Sequence, residues 1–236
     1  MKARLLLLAL LFVGAPAAFG AICTSTVATT GNWGTAGSWN CGRVPLATDD
    51  VVIAVGDTIT VDIANAVAQS VTFNNGAGNS GLTIATGNTL TVSQGVTFTT
   101  STSNSRTRTL AVQSGAKLIV GGNLTMNTGA VTGTAFGITI ASNASSLVQI
   151  GGSISFSGTV APSIAFAGAG TLSVAGDFPS GIAFTQGTGT VMYNGGGAQV
   201  MGAYTYSNLT VSKSGGTATA AGNVTATSLT FAAPLR

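Results

Sequence analysis

The sequence predicts an all-β fold: a right-handed parallel β-helix, or β-solenoid, of about seven coils behind an N-terminal, disulfide-stapled cap. Three observations carry that expectation. Short apolar–small–apolar triplets return along most of the chain, and self-similarity at 20–50 residues is the mark of a solenoid. The 34 glycines fall between short apolar runs, among abundant Thr, Ser, Asn, Ala and Val. Val and Thr favour pleated strands, whereas Gly and Asn favour tight turns. Finally, only 6% of the residues are charged, against roughly 25% in an average soluble domain. Disorder is excluded on the same grounds, because it needs low hydrophobicity and high net charge.

Residues 1–20 read as a secretory signal peptide. Lys2 and Arg4 precede an apolar core from Leu5 to Val13, and Ala18-Phe19-Gly20 supplies small residues where a signal peptidase reads them. Cleavage is expected before Ala21. The apolar core is shorter than the roughly 20 residues a spanning helix needs, and no later segment is long and apolar enough, so no membrane span is expected. A lipoprotein anchor on Cys23 is excluded by Ile22, which stands where that signal needs a small residue.

Residues 21–50 form the expected cap. Cys23 and Cys41 are the only cysteines, and an even pair in an exported chain reads as a disulfide. Closing a loop of that size contributes about 3 kcal/mol in the chain-entropy model. The stapled segment holds Trp33 and Trp39. Two roles compete for them: an apolar plug over the first coil, or platforms stacking on a sugar ring.

Residues 51–236 carry the repeats. Paired alternations recur as Val51-Val52-Ile53 with Ile59-Thr60-Val61, Leu82-Thr83-Ile84 with Leu90-Thr91-Val92, and Leu110-Ala111-Val112 with Leu118-Ile119-Val120. They continue as Ile138-Thr139-Ile140 with Val148-Gln149-Ile150, Ile164-Ala165-Phe166 with Leu172-Ser173-Val174, and Ile182-Ala183-Phe184 with Val191-Met192-Tyr193. Leu209-Thr210-Val211 starts a seventh unit, with a weaker partner at 218–220. A third triplet follows in most units: Val71-Thr72-Phe73, Val96-Thr97-Phe98, Leu124-Thr125-Met126, Ile154-Ser155-Phe156 and Leu229-Thr230-Phe231. Side chains alternate across a strand, so the outer two residues of each triplet point inward. One coil cannot bury them alone; stacked coils pair in parallel at about 4.8 Å and form ladders. Parallel crossovers strongly favour the right hand. An antiparallel β-sandwich is the rival, but gives less reason for triplets at near-constant spacing.

The stretch Asn32-Trp33, Ser38-Trp39, Arg43-Val44-Pro45, Asp49-Asp50-Val51-Val52-Ile53, Gly56-Asp57-Thr58 and Val61-Asp62 resembles the opening of secreted bacterial surface proteins, in which a tryptophan-containing cap leads into a β-helix. It is also similar to the eight-glycine domain of animal extracellular proteins. Tyr206-Ser207-Asn208-Leu209-Thr210-Val211 and Gly222-Asn223-Val224-Thr225 resemble repeats of large bacterial adhesins. A looser resemblance is to proteins of mannose-sensitive haemagglutinin pilus biogenesis. These resemblances imply a β-solenoid at the cell surface and carry no catalytic residue onto this chain.

The side-chain inventory argues against catalysis. The chain has no His and no Glu, and its acids are Asp49, Asp50, Asp57, Asp62 and Asp177. A serine triad normally needs a His base, and a glycoside hydrolase needs two carboxylates across one bond. Asp49 and Asp50 are adjacent, so on an extended chain they point to opposite sides. Asp57 and Asp62 are weak calcium candidates, and no other metal site and no cofactor is expected. Beyond the leader, six basic residues stand against five acidic ones. Arg106 and Arg108 alone make no patch for nucleic acid. An ice-ordering Thr ladder would run from Thr58 and Thr60 to Thr89 and Thr91, then break at Lys117, Ile119 and Gln149.

The expected protein is therefore a non-enzymatic, exported stalk or filament subunit at the cell surface. Phe231-Ala-Ala-Pro-Leu-Arg236 follows a strand directly and offers no polar cap. Its expected partner is accordingly itself, or a longer surface assembly, through an uncapped C-terminal coil. The alternative is a carbohydrate-binding module that meets glycans through Trp33, Trp39, Tyr204 and Tyr206. A polysaccharide-cleaving enzyme is the least supported reading.

Overall fold

The computed structural model describes residues 20–130 and 132–232, so the signal peptide expected over residues 1–20 lies outside the described residues except for Gly20. The chain winds as a parallel β-helix with three faces. The first face stacks Ile22–Thr24, Asp50–Ile53, Ser70–Phe73, Val96–Phe98, Leu124–Gly129 and Ile154–Gly158. The second stacks Thr30–Asn32, Thr58–Val61, Ser80–Ile84, Thr107–Val112, Ala135–Ile140, Ser163–Phe166 and Ala183–Thr185. The third is the longest: Asn65–Ala68, Thr89–Val92, Lys117–Val120, Leu147–Ile150, Thr171–Val174, Thr190–Tyr193, Thr205–Val211 and Thr225–Phe231. Its eight rungs span about 34 Å at the usual strand spacing. A bridge from Phe178 to Met201 and a ribbon of Gln199–Met201 with Ala218–Ala220 complete the strand pairing.

Strand alternation places the core. In Thr58–Val61, Ile59 and Val61 are buried while the threonines remain partly exposed, and the same two-residue rhythm repeats through most rungs. Like residues then stack vertically: Ile59, Leu82, Leu110, Ile138, Ile164 and Phe184 line the second face. Each aliphatic side chain buried this way contributes about 1.5–3 kcal/mol, and only because its neighbours above and below exist. Phe73 stacks on Phe98 at 4.3 Å between ring centroids, and Phe98 meets Phe136 at 6.2 Å. Between the third face and the first the chain turns on paired glycines. A Cβ at Gly151 would run into the carbonyl of Gly121 directly beneath it.

Three sequence alignments need correction. Val51–Ile53 pairs with Val71–Phe73 on the first face, while Ile59–Val61 lies against Leu82–Ile84, so the first unit is displaced by one face. Its third strand, Asn65–Ala68, escapes notice because Ala66 and Ala68 are too small to announce a core position. Next, Ile164 pairs with Phe184 rather than Ile182, a two-residue slip that preserves the inward parity. Last, Leu209–Val211 stacks on Val191–Tyr193, and Leu229–Phe231 stacks on it in turn, all on the third face. The cause is geometric. Vertical neighbours on the third face lie 24, 28, 30, 24, 19, 18 and 20 residues apart, so the late coils are too short for three strands. Among the described residues the second face stops at Ala183–Thr185.

The segment read as a cap also contributes rungs. Ile22–Thr24 pairs in parallel with Asp50–Val52 on the first face, and Thr30–Asn32 pairs with Thr58–Thr60 on the second, so the stack begins at Ile22.

Candidate functional site: the two ends of the stack

At the N-terminal end the chain turns back on its own edge. Asn40 donates its backbone amide to the Thr24 carbonyl at 2.9 Å, and Thr26 donates to the Ser38 carbonyl at 3.0 Å, an antiparallel contact centred on Ser25 and Trp39. This uses backbone groups that would otherwise receive another strand. The Cys23–Cys41 disulfide joins the returning segment to the first rung, with a Cα–Cα distance of 5.1 Å. Trp33 and Trp39 pack edge to face at 5.1 Å, and the Trp39 indole donates to the Trp33 carbonyl at 2.9 Å. Both rings are buried, Trp33 completely.

That burial corrects the sugar-stacking reading. A stacking platform needs an exposed ring face, and Trp33, Trp39 and Tyr206 offer none. Tyr204, half-buried, packs on Phe178 and Phe184 at 5.1 Å each, and its hydroxyl donates to the Pro179 carbonyl at 2.7 Å. The Tyr193 and Tyr206 hydroxyls meet at 3.0 Å. Burial first, and their mutual contact, push the Tyr193 phenol well above its ordinary range; burial pushes Tyr206 up to about 12. These aromatic rings fill the interior where the second face stops.

The carboxylates are separated, each engaged by this chain. Asp49 is buried and accepts from the Arg43 guanidinium, from the Leu46 amide at 2.7 Å and from the Ala21 amide at 2.9 Å. The hydrogen-bonded Arg43 foremost, with the two amides, holds its carboxyl well below the usual range against the opposing effect of burial. Asp50, on the opposite side of the strand, accepts from the Ser70 hydroxyl. Asp57 accepts from Ser25 at 2.6 Å, Asp62 from the Gly34 amide at 2.8 Å, and Asp177 from the Val200 amide at 2.7 Å. Asp57 and Asp62 thus serve different turns, and among the described residues no three His, Cys, Asp or Glu side chains cluster as a metal site would require.

Outward threonines also align differently from the sequence expectation. Thr60 lies beside Thr83, while Thr89 lies beside Asn65 on another face. The column on the second face reads Asn32, Thr60, Thr83, Ala111, Thr139, Ala165 and Thr185, so alanines interrupt it.

Two basic residues have structural roles that charge counting misses. Arg108 is fully buried and donates to the carbonyls of Gly78, Asn74 and Gly76, the last two at 3.1 Å, while its guanidinium lies 5.6 Å from the Phe136 ring. Burial lowers its pKa. A sequence signal exists for it: Arg108 shares inward parity with Leu110 and Val112. Lys213 reaches the Gly195 and Gly197 carbonyls at 3.1 and 2.7 Å and the Gln199 side chain, whose amide in turn donates to Val174 and Gly176. Together they tie three successive coils.

At the C-terminal end the described residues show no such closure. Among the described residues Thr225–Phe231 has a strand on one side only, and Leu229 and Phe231 are 53% and 73% exposed. They line an open apolar groove of about 620 Å³ with Met201, Leu209, Val211 and Val224. The groove joins unpaired backbone donors and acceptors to unburied apolar side chains, the chemistry that accepts a further β-strand. Comparison with family models, with curated proteins and with solved structures returns no match. Among the described residues no helix is long and apolar enough to cross a membrane. The disulfide suits an oxidising compartment.

Proposed function

We propose that this protein is a non-enzymatic structural element of an exported cell-surface assembly: a rigid β-solenoid stalk or filament subunit that associates end to end. The observation carrying this reading is the open coil at Thr225–Phe231, with Leu229 and Phe231 exposed over an apolar groove. Its occupant is the same open coil of a second copy, because the N-terminal end is closed by its antiparallel return and only the C-terminal coil can pair the open edge and cover both side chains. Two further features support it. The five carboxylates are occupied by turns and an ion pair, and the leader pattern with the disulfide fits export.

The test is size-exclusion chromatography with electron microscopy on residues 21–236. The expected outcome is rods that join in pairs through their C-terminal ends as concentration rises. Strictly monomeric rods at high concentration would overturn the docking reading.

A further inference from the structure

The contact between Ala21 and Asp49 gives the leader cleavage a structural consequence. The inference rests on the export reading, in which the Gly20–Ala21 bond is cut. Hydrolysis adds one water across that bond, leaving a carboxylate on Gly20 and an ammonium group on Ala21. In the described chain the Ala21 nitrogen already lies 2.9 Å from Asp49 Oδ1 as a neutral amide donor. The Ala21 carbonyl is fixed too, accepting from the Asp50 amide at 2.9 Å. Cys23, two residues on, is held by its disulfide and by the pairing with Val51. The new terminus therefore has little freedom to leave.

We propose that the amino group freed at Ala21 docks on Asp49 as an N-terminal latch, so that processing locks the first rung of the stack. Asp49 is completely buried, yet its oxygens face donors on three sides: Arg43, the Leu46 amide and Ala21. Cutting the bond replaces a neutral donor by a cation at the same place. The amide bond to the ionised Asp49 is already charge-assisted, and the ammonium adds direct attraction between opposite charges at a buried carboxylate. The charged groups around the amine are Asp49, Arg43 and the neighbouring Asp50, whose own carboxylate is turned to Ser70. Arg43 is partly exposed, so solvent moderates its repulsion of the incoming ammonium. Gly20 fits the unprocessed state, since a Cβ there would overlap the Thr48 carbonyl. The precursor can follow this path past residue 48 only with glycine.

The decisive comparison is between residues 21–236 with a free Ala21 amine and the same chain acetylated on that nitrogen. Acetylation keeps an N–H donor, removes the charge and adds a carbonyl and methyl where the Gly20 carbonyl and Cα stood before cleavage. The free form is expected to have an unfolding equilibrium constant about tenfold smaller at neutral pH, and the gap should vanish in Asp49→Asn. Equal stabilities overturn the latch. Should Asp49→Asn fail to fold, amine labelling of the native chain replaces it. Labelling at Ala21 several-fold slower than in an unstructured peptide with the same N-terminal residues supports docking, and an equal rate overturns it. N-terminal sequencing of the exported protein separates the two readings: a start other than Ala21 removes the processing step, whereas stability and labelling test the docking alone.

Discussion

The first and last apolar triplets of the repeat, Val51–Ile53 and Leu229–Phe231, are made from the same kind of sequence and meet opposite fates. At one end Val51 and Ile53 are fully buried, because another rung and the Trp33–Trp39 pair lie beyond them. At the other, Leu229 and Phe231 follow the same alternation and stand in the open. The triplet alone does not determine burial; the next rung does. Closure at the N-terminal end uses three additions that the C-terminal end lacks among its described residues: an antiparallel return, a disulfide and an aromatic pair.

Breaking the closed end is expected to cost most. Trp33→Ala removes a fully buried ring and should lower stability by about 3–5 kcal/mol in urea or guanidinium unfolding. Joint replacement of Cys23 and Cys41 by serine follows, at about 3 kcal/mol, as freed loop entropy returns to the unfolded chain. The Asp49 ion pair adds a pH signature. Its carboxyl titrates lower folded than unfolded, so its contribution is complete above about pH 4 and is lost as pH falls through the folded value. Unfolding midpoints measured from pH 6 downward should show that loss, and Asp49→Asn should remove it from the profile. At the open end the ranking inverts. Leu229→Asp with Phe231→Asp should change monomer stability by less than about 1 kcal/mol, since both side chains are already exposed, yet abolish end-to-end joining in electron micrographs. If the double variant still joins rods, the two ends are not as different as their geometry implies.

Much of the fold is legible in the sequence because parity is a local property. The triplets at 82–84, 90–92, 110–112, 118–120 and 138–140 are strands with the expected residues inside. Which face a triplet joins is a different matter, set by how many residues the preceding turns consume. That is why periodicity alone misplaces Val51–Ile53 and gives the short late coils a face they lack. The pairing of Cys23 with Cys41 can be read from composition alone. The sites are less visible. The exposure needed for glycan stacking cannot be read from a tryptophan's presence, and the buried Arg108 contradicts the habit of placing charges outside. The Ala21–Asp49 contact joins residues 28 apart, and becomes apparent only once the first two rungs are aligned.

The spacing of vertical neighbours has a kinetic consequence. Each rung finds its partner only 18 to 30 residues away along the third face, so no step of assembly waits for distant chain to arrive. A solenoid of this kind can grow by addition of one coil to a finished template. The stapled tryptophan segment lies among the first described residues, so a chain that folds in sequence order presents its seed first. Growth then runs toward the C-terminus, and at every moment the newest rung is the one with its apolar side uncovered.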